Sequence, residues 1–348
     1  MKAQGKYIYG IINSGHEESF GYIGISACEE VYAFPHNGIS AVVSDSEIID
    51  YGRMRRDSLA MLLFRHQKVI ERIMGLNYTV IPLKLGTFAQ GEGELKDILW
   101  KTYGFIKGVL EIMSDKIEIE VSAVWSDFKA VIKELGEVGE IKEARDGLLR
   151  NPKSVTVDDQ MRVGFMLKKA LDEKRQNYTL HIQDALKAIS QGFKAHDLAD
   201  DKVVANLSFL VDKGVRGGFE KRVELLNAEF GEKLNFKCVA PLPPYSFYML
   251  EVNRMEFKDL DWARKRLGLL NDSATKDEVK TAYQRQALSA HPDKNPGSPC
   301  AEKEFSDVEK SYNILVDYSL ACEQAQESTL SFNEENFKKS AIFVKVRG

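Results

Sequence analysis

The side chains best placed for chemistry lie in one short segment, His291-Pro292-Asp293-Lys294-Asn295. Proline disfavours helical geometry at the residue before it, so the preceding helix is predicted to end at His291. The sequence therefore predicts an exposed polar loop at this point. Its chemistry is recognition, because the Asp293 carboxylate can reach a charged surface on a partner protein.

Basic residues lie on the helix that leads into this loop. Between residues 276 and 290 there are three basic and two acidic side chains, so the excess of positive charge is small. Such cations steer the association of a protein with an acidic partner. The predicted docking site is therefore His291, Pro292 and Asp293 together with Lys276, Lys280 and Arg285.

No second segment of the sequence shows a catalytic or cofactor-binding pattern. His66 lies on the apolar stripe of a predicted helix, which favours a packed, hydrogen-bonded imidazole over a catalytic one. Residues 214–218 are glycine-rich and precede a helix, but they lack the Lys-Ser/Thr of a phosphate-binding loop. The four cysteines are far apart and form no metal-binding pair. We expect no catalytic residue, no cofactor, no metal and no enzyme activity.

The elements around these residues indicate an α+β protein that ends in helices. Short β-rich runs over residues 7–12, 22–25, 31–34 and 39–43 are separated by turn-forming residues. A helix follows, with an apolar stripe at helical spacing formed by Leu59, Leu62, Leu63, His66, Ile70, Ile73 and Met74. The alternation over residues 117–123 predicts a half-buried antiparallel strand. Thr156 with Asp159, and Thr275 with Glu278, have the spacing of capping boxes.

Changes in this pattern divide the sequence into five predicted parts. The domains are an N-terminal α+β lobe (1–126), a helical connecting region (127–200) punctuated by Asn151-Pro152, and a second α+β lobe (201–257). A helical module (258–326) and a tail (327–348) with a possible edge strand follow. Residues 241–247, rich in proline, are predicted to form either a rigid crossing between strands or a docking surface.

Composition excludes several classes of protein. A net charge of −4 argues against nucleic-acid binding through overall charge. The longest apolar runs fall far short of the roughly 20 residues that a membrane-spanning helix needs, and the N-terminal run is too short for a signal peptide. We expect a cytoplasmic protein with no membrane and no nucleic acid among its partners.

The last helices resemble the J domain, by which DnaJ-type co-chaperones stimulate the ATPase of DnaK-type chaperones. The resemblance covers roughly residues 261–326. It rests on the His291-Pro292-Asp293 loop between two helices whose apolar residues can face each other: Ala282, Tyr283, Ala287 and Leu288 on one, Phe305, Val308, Tyr312 and Leu315 on the other. Arg264 replaces an aromatic residue usual in the family. Two roles stay open, active recruitment of DnaK and a spacer or docking surface without that activity.

The larger part of the chain resembles the GvpL/GvpF family of gas vesicle proteins over roughly residues 5–252. The resemblance is carried by an ordered set of blocks, namely residues 6–11, 32–44, His66, 80–88 and 241–247. It implies two α+β lobes, the first ferredoxin-like, in an accessory factor for gas vesicle formation. The implied partners are the hydrophobic shell protein GvpA, other vesicle accessory proteins and, through the J domain, a DnaK-type chaperone.

Two functions follow from these resemblances. The first is a factor for gas vesicle organisation that binds GvpA, because an apolar subunit aggregates unless it is escorted before assembly. A fused J domain would bring a chaperone to the same place at high effective concentration. The alternative is a general J-domain co-chaperone with a different client.

Overall fold

The structure is a computed structural model that describes residues 4–26, 28–150, 155–294 and 300–347. Two sequence features, Asn151-Pro152 and Asn295, lie outside these residues. The chain divides into two compact units, Met113–Phe247 and a unit that combines Met1–Ile112 with Tyr248–Gly348. The α+β class with a C-terminal helical module is confirmed.

The N-terminal part of the discontinuous unit is an antiparallel sheet with two long helices. The sheet has the order β2-β3-β4-β1-β5, and β6 also pairs with β1. Seven of the nine residues of β1 are buried. The strands pack closely there, since a Cβ atom added at Gly10 would lie 2.9 Å from the Ile81 carbonyl oxygen. The bounds are β1 Gln4–Ile12, β2 Glu18–Gly21, β3 Val31–His36, β4 Ile39–Glu47, α1 Arg56–Gly75, β5 Val80–Pro82, β6 Phe88–Ala89 and α2 Glu92–Met113.

Two details of this lobe differ from the prediction. The strand expected over residues 22–25 is wrong: β2 ends at Gly21, where φ is +88°, and the chain then turns with the Ile23 N–H donating to the Gly21 carbonyl. The apolar stripe of α1 is buried only in its second half, at His66, Val69, Ile70 and Ile73.

The second unit has the element order β-α-β-β-α-β, with three helices in the first crossover. Its antiparallel sheet has the order β10-β7-β9-β8. The ferredoxin-like order of elements is therefore found in this unit, whereas four strands precede the first helix of the N-terminal lobe. The bounds are β7 Lys116–Trp125, α3 Phe128–Gly136, α4 Gly139–Arg150, α5 Val157–Lys187, β8 Gly192–Ala195, β9 Val203–Asp212, α6 Arg216–Phe230 and β10 Leu234–Leu242.

Strand β7 shows what local pattern does and does not predict. Its alternating burial matches the alternation seen in the sequence, and its inward residues Ile119 and Val121 are fully buried. Its hydrogen-bond partners are β9 and β10 of the second unit. The predicted N-terminal lobe (1–126) included this strand, because alternation indicates a half-buried strand but not the strands with which it pairs.

A buried carboxylate holds the proline-rich segment after β10. The Glu118 side chain, 4% exposed, accepts hydrogen bonds from the Ser246 backbone N–H at 2.9 Å and from the Ser246 hydroxyl at 2.6 Å. Because two donors satisfy the same carboxylate, the segment is pinned to the sheet. This geometry matches a rigid crossing between strands.

The C-terminal part is a helical module closed by a two-stranded ribbon. Thr275 caps α8 in a capping box with Glu278, as Thr156 does with Asp159 at α5. The strand signal over the tail forms β14, which pairs antiparallel with β11. The bounds are β11 Met249–Arg254, α7 Phe257–Arg266, β12 Ser273–Ala274, α8 Lys276–Ala290, α9 Ala301–Gln324, β13 Leu330–Ser331, α10 Glu334–Ser340 and β14 Ile342–Arg347.

Candidate functional site

The loop after α8 has a defined conformation. His291 is the C-cap of α8 with extended geometry, φ −60° and ψ 129°, as expected for a residue before proline. Residues Pro292–Lys294 form one 3-10 turn, in which the Lys294 N–H donates to the His291 carbonyl at 3.0 Å. The Asp293 N–H donates to His291 Nδ1 at 3.1 Å. These two bonds fix the backbone, and the Asp293 side chain is left 90% exposed.

The helices on either side hold this loop in place. The rings of Tyr283 on α8 and Tyr312 on α9 stack with centroids 4.1 Å apart, and the Phe305 ring meets the His291 ring edge-on at 5.5 Å. Aromatic pairs in these geometries stabilise the contact beyond the area they bury. The two helices therefore present the loop from a packed hairpin. Leu288, expected in this contact, is instead 59% exposed.

The predicted cations do not share one face of α8. Lys276, Lys280 and Arg285 are all exposed. Lys276 and Arg285 are nine residues apart, so they lie about 180° apart around the helix axis. The Lys276 ammonium forms an ion pair with Glu323 on α9. Lys280 lies on the Lys276 side of α8, and Arg285 lies on the opposite side.

An apolar groove lies between α8 and α9, and Lys276 and Lys280 contribute to its lining. It has a volume of about 410 Å³ and an apolar lining of Val279, Tyr312, Leu315, Val316, Leu320 and Leu330. The apolar residues predicted to face each other across the two helices do not by themselves indicate this groove. The one available signal was Val316, which falls outside the heptad positions of Val308, Tyr312 and Leu315 and is 44% exposed.

The module is joined to the N-terminal sheet by backbone pairing. The Lys84 N–H donates to the Leu250 carbonyl at 2.9 Å, and Leu83 and Leu250 form a parallel bridge. Leu250 lies on β11 and is fully buried. Lys84 also pairs with Glu251 at 2.6 Å, and Arg254 pairs with Glu94 at 2.7 Å. The helical module is therefore anchored at its base and not held by a flexible linker alone.

His66 is a structural residue of the N-terminal lobe. Its Nε2–H donates to the Leu83 carbonyl at 3.1 Å, so Nδ1 accepts from the Tyr7 hydroxyl at 2.7 Å. The ring is fully buried, and burial lowers its pKa from 6.5 to about 4. The imidazole is thus held neutral between two partners, in agreement with the packed histidine that the sequence favoured.

This buried imidazole predicts that stability falls in mild acid. The unfolded chain binds a proton on His66 below pH 6.5, whereas the folded chain does so only near pH 4. Unfolding is therefore favoured as pH falls from 6.5 to 4, by about 2 kcal/mol at pH 5. We expect the free energy of unfolding in urea to fall by that amount more in the wild type than in a His66→Gln variant. Equal pH dependence of the two proteins would contradict this role.

One serine–histidine–carboxylate cluster lies in the second unit. The Ser246 hydroxyl lies 3.3 Å from His196 Nε2 and donates to Glu118 at 2.6 Å, and His196 Nε2 also contacts the Ser208 hydroxyl at 2.8 Å. In a nucleophilic triad the carboxylate orients the histidine, and the histidine takes the serine proton. Here the serine proton is directed to the carboxylate itself. The serine, histidine and carboxylate are therefore not hydrogen-bonded in the sequence that activates a nucleophilic serine. The hydrogen bonds instead hold the strand crossing in place.

Within residues 4–26, 28–150, 155–294 and 300–347, no group of three or more His, Cys, Asp or Glu side chains is placed to hold a metal ion. In the same ranges, the helices are too short or too polar to cross a membrane.

Two protein families match separate parts of the chain. Residues 5–249 match the family of gas vesicle synthesis protein GvpL/GvpF, and residues 265–320 match the DnaJ domain. The second match contains α8, the His291-Pro292-Asp293 loop and most of α9. The candidate site thus lies wholly within the DnaJ match.

Individual relatives agree with this division. Gas vesicle protein F of Microcystis aeruginosa is 22% identical over 248 residues, which cover 71% of this chain and 98% of that protein. The crystal structure of GvpF from Anabaena sp. PCC7120 shares the fold, with a TM-score of 0.60, 20% identity and coverage of 70% of this chain and 97% of that one. Chaperone protein DnaJ of Ehrlichia ruminantium is 46% identical over 48 residues, but these are only 13% of its length.

The long match therefore covers the two α+β lobes, and the short match covers the helices that carry the exposed loop. The GvpF relatives are matched over nearly their whole length, so the DnaJ region follows a GvpF-like body. This chain belongs to the GvpL/GvpF family of gas vesicle proteins and carries a DnaJ domain after the family's region.

Proposed function

We propose that this protein is a non-enzymatic factor of gas vesicle formation that binds the shell protein GvpA and recruits a DnaK-type chaperone to it. Its place of action is the cytoplasm, beside growing vesicles, together with other vesicle accessory proteins. The body escorts the apolar subunit, and the loop at residues 291–293 engages the chaperone. An escort is useful because apolar surface that is exposed before assembly leads to aggregation.

The observation that carries the proposal is the joint between the two parts. The Leu83–Leu250 bridge and the pairing of β11 with β14 attach the helical module to the N-terminal sheet. A client on the body and a chaperone on the module would then be held at a fixed separation. Such tethering raises the effective concentration of one for the other without any new contact.

The chaperone side of the proposal rests on the loop geometry. The Asp293 carboxylate is exposed while its own backbone N–H is used to hold His291. The backbone N–H of Asp293, and not its carboxylate, holds the turn. The carboxylate is therefore available to contact a basic surface of a partner protein. Lys280 adds a positive charge near the apolar groove between α8 and α9.

Co-expression of the tagged full chain with GvpA tests the proposal. We expect GvpA to move from the pellet to the soluble fraction and to purify with the full chain. The matched control is the same expression with an unrelated apolar subunit, which we expect to remain insoluble. GvpA that stays in the pellet, or fails to co-purify, would contradict the proposal. Retained ATPase stimulation of DnaK in that case would favour a general co-chaperone with another client.

A further inference from the structure

The outward face of α2 follows a heptad pattern. Its exposed residues are spaced alternately four and three positions apart, namely Gly93, Asp97, Trp100, Gly104, Lys107 and Glu111. Fully buried side chains such as Leu99 and Ile106 lie on the opposite side of the helix. Helices that pack side by side show this repeat on the face where they meet. The exposed face of α2 therefore has the spacing of a helix–helix contact.

The two residues at the middle of this face are not explained by the helix itself. Trp100 is 62% exposed, although a large aromatic side chain gains most when it is covered. Glycine destabilises the interior of a helix relative to alanine, and a Cβ atom added at Gly104 would meet nothing within 4 Å. The chain alone therefore does not require a glycine there. A notch beside an exposed indole suits a partner with a large side chain opposite the notch.

A second copy of α2 has these complementary features. When two such helices pack antiparallel about a two-fold axis, their heptad positions meet in layers. With the axis midway between Trp100 and Gly104, the Trp100 ring of each copy lies over Gly104 of the other. The same register places Asp97 of each copy opposite Lys107 of the other. Size and charge are thus complementary in a single register, as a self-association surface requires.

We propose that α2 is a self-association surface, through which two copies of this chain pair antiparallel. Parallel pairing is disfavoured, because it would oppose Asp97 to Asp97 and Lys107 to Lys107. In the antiparallel register the outermost layer pairs Glu111 with Gly93, so like charges meet in none of the layers. The pairing requires neither GvpA nor DnaK and is independent of the proposed function.

The dimer is expected to be weak. Only the layers that join Trp100 to Gly104 are free of charge, and one helix of each copy forms the contact. Such a small interface gives a dissociation constant on the order of 10 µM. Sedimentation velocity of the full chain, from well below to well above that concentration, should show a shift from monomer to dimer. A wild type that stays monomeric throughout would overturn the pairing.

Filling the notch tests the contact of the indole. Gly104→Leu should weaken dimerisation at least about tenfold, because the new side chain occupies the place of the Trp100 ring of the other copy. The fold should be retained, since the site is open within the chain. Gly147→Leu is the matched control, because Gly147 on α4 is also exposed with nothing within 4 Å of an added Cβ atom. Equal dimerisation by the two variants would overturn the proposal.

A charge exchange tests the register. Asp97→Lys or Lys107→Asp alone brings like charges together in two symmetry-related layers and should weaken dimerisation at least about tenfold. The double variant restores opposite charges and should dimerise within about threefold of the wild type. Glu143→Lys, an exposed site on α4, changes the net charge as Asp97→Lys does and should have no effect. Single variants that dimerise normally, or a double variant that does not recover, would overturn this register. Thermal unfolding checks the fold of each variant.

Discussion

An Asp293→Asn variant is expected to lose nearly all stimulation of a DnaK-type ATPase, with a fall of at least about tenfold. Removing one member of a charge pair at an interface leaves the partner's charge unpaired, and that cost dominates the effect. The fold should not change, because the Asp293 side chain is 90% exposed and its backbone N–H still donates to His291. The measurement is single-turnover ATP hydrolysis by DnaK with increasing amounts of the full chain.

Two further variants make this prediction specific. Glu309→Gln removes an exposed carboxylate from α9, outside the loop, and should leave stimulation unchanged. His291→Gln should lose stimulation as Asp293→Asn does, since the imidazole accepts the bond that shapes the turn. If Asp293→Asn stimulated as well as the wild type, the helical module would be a spacer or docking surface without chaperone recruitment.

The second large effect is expected from the strand that closes the module. Phe343 and Val344 on β14 are 2% and 1% exposed, and the Gln324 side chain bonds to both the N–H and the carbonyl of Val344. Burial of a large apolar side chain stabilises by about 1.5–3 kcal/mol, and truncation also leaves a cavity. We expect Phe343→Ala to destabilise the module by about 3–5 kcal/mol in urea unfolding.

Removal of residues 342–347 should have a stronger effect than the point variant. Strand β11 would lose its partner, and β11 carries the Leu83–Leu250 bridge to the N-terminal sheet. We expect rapid proteolysis between residues 248 and 257 in this truncated chain. Arg347→Gln is the matched control, because that side chain is exposed and should change stability by less than about 1 kcal/mol. If the truncated chain were cleaved as slowly as the wild type, the β11–β14 ribbon would not be what anchors the module.

Features of the fold that depend only on residues close together in the chain were predicted correctly from the sequence. Both capping boxes form as predicted, since each needs only a hydroxyl and a carboxylate three residues apart. The end of α8 at His291 follows from Pro292 alone. The buried, hydrogen-bonded state of His66 followed from its place on an apolar stripe, although neither Tyr7 nor the Leu83 carbonyl was identified as its partner.

Features that depend on distant parts of the chain were not predictable in this way. Strand β7 pairs with β9 and β10, which come later in the chain. Alternation of apolar residues does not indicate which strands pair with each other. The α1 stripe was predicted from its helical spacing, but only its second half is buried, because periodicity indicates which residues share a face and not whether anything covers them. In contrast, the separation of Lys276 from Arg285 was predictable from the sequence. Two residues nine positions apart in a helix lie on opposite sides of its axis.

The most direct measurement is recovery of two proteins with the tagged full chain from cells that make gas vesicles. We expect the wild type to recover both GvpA and DnaK. Asp293→Asn should keep GvpA and lose DnaK, because the loop and not the body would contact the chaperone. Recovery of DnaK without GvpA by the wild type would contradict the central claim that this one chain links the shell subunit to the chaperone.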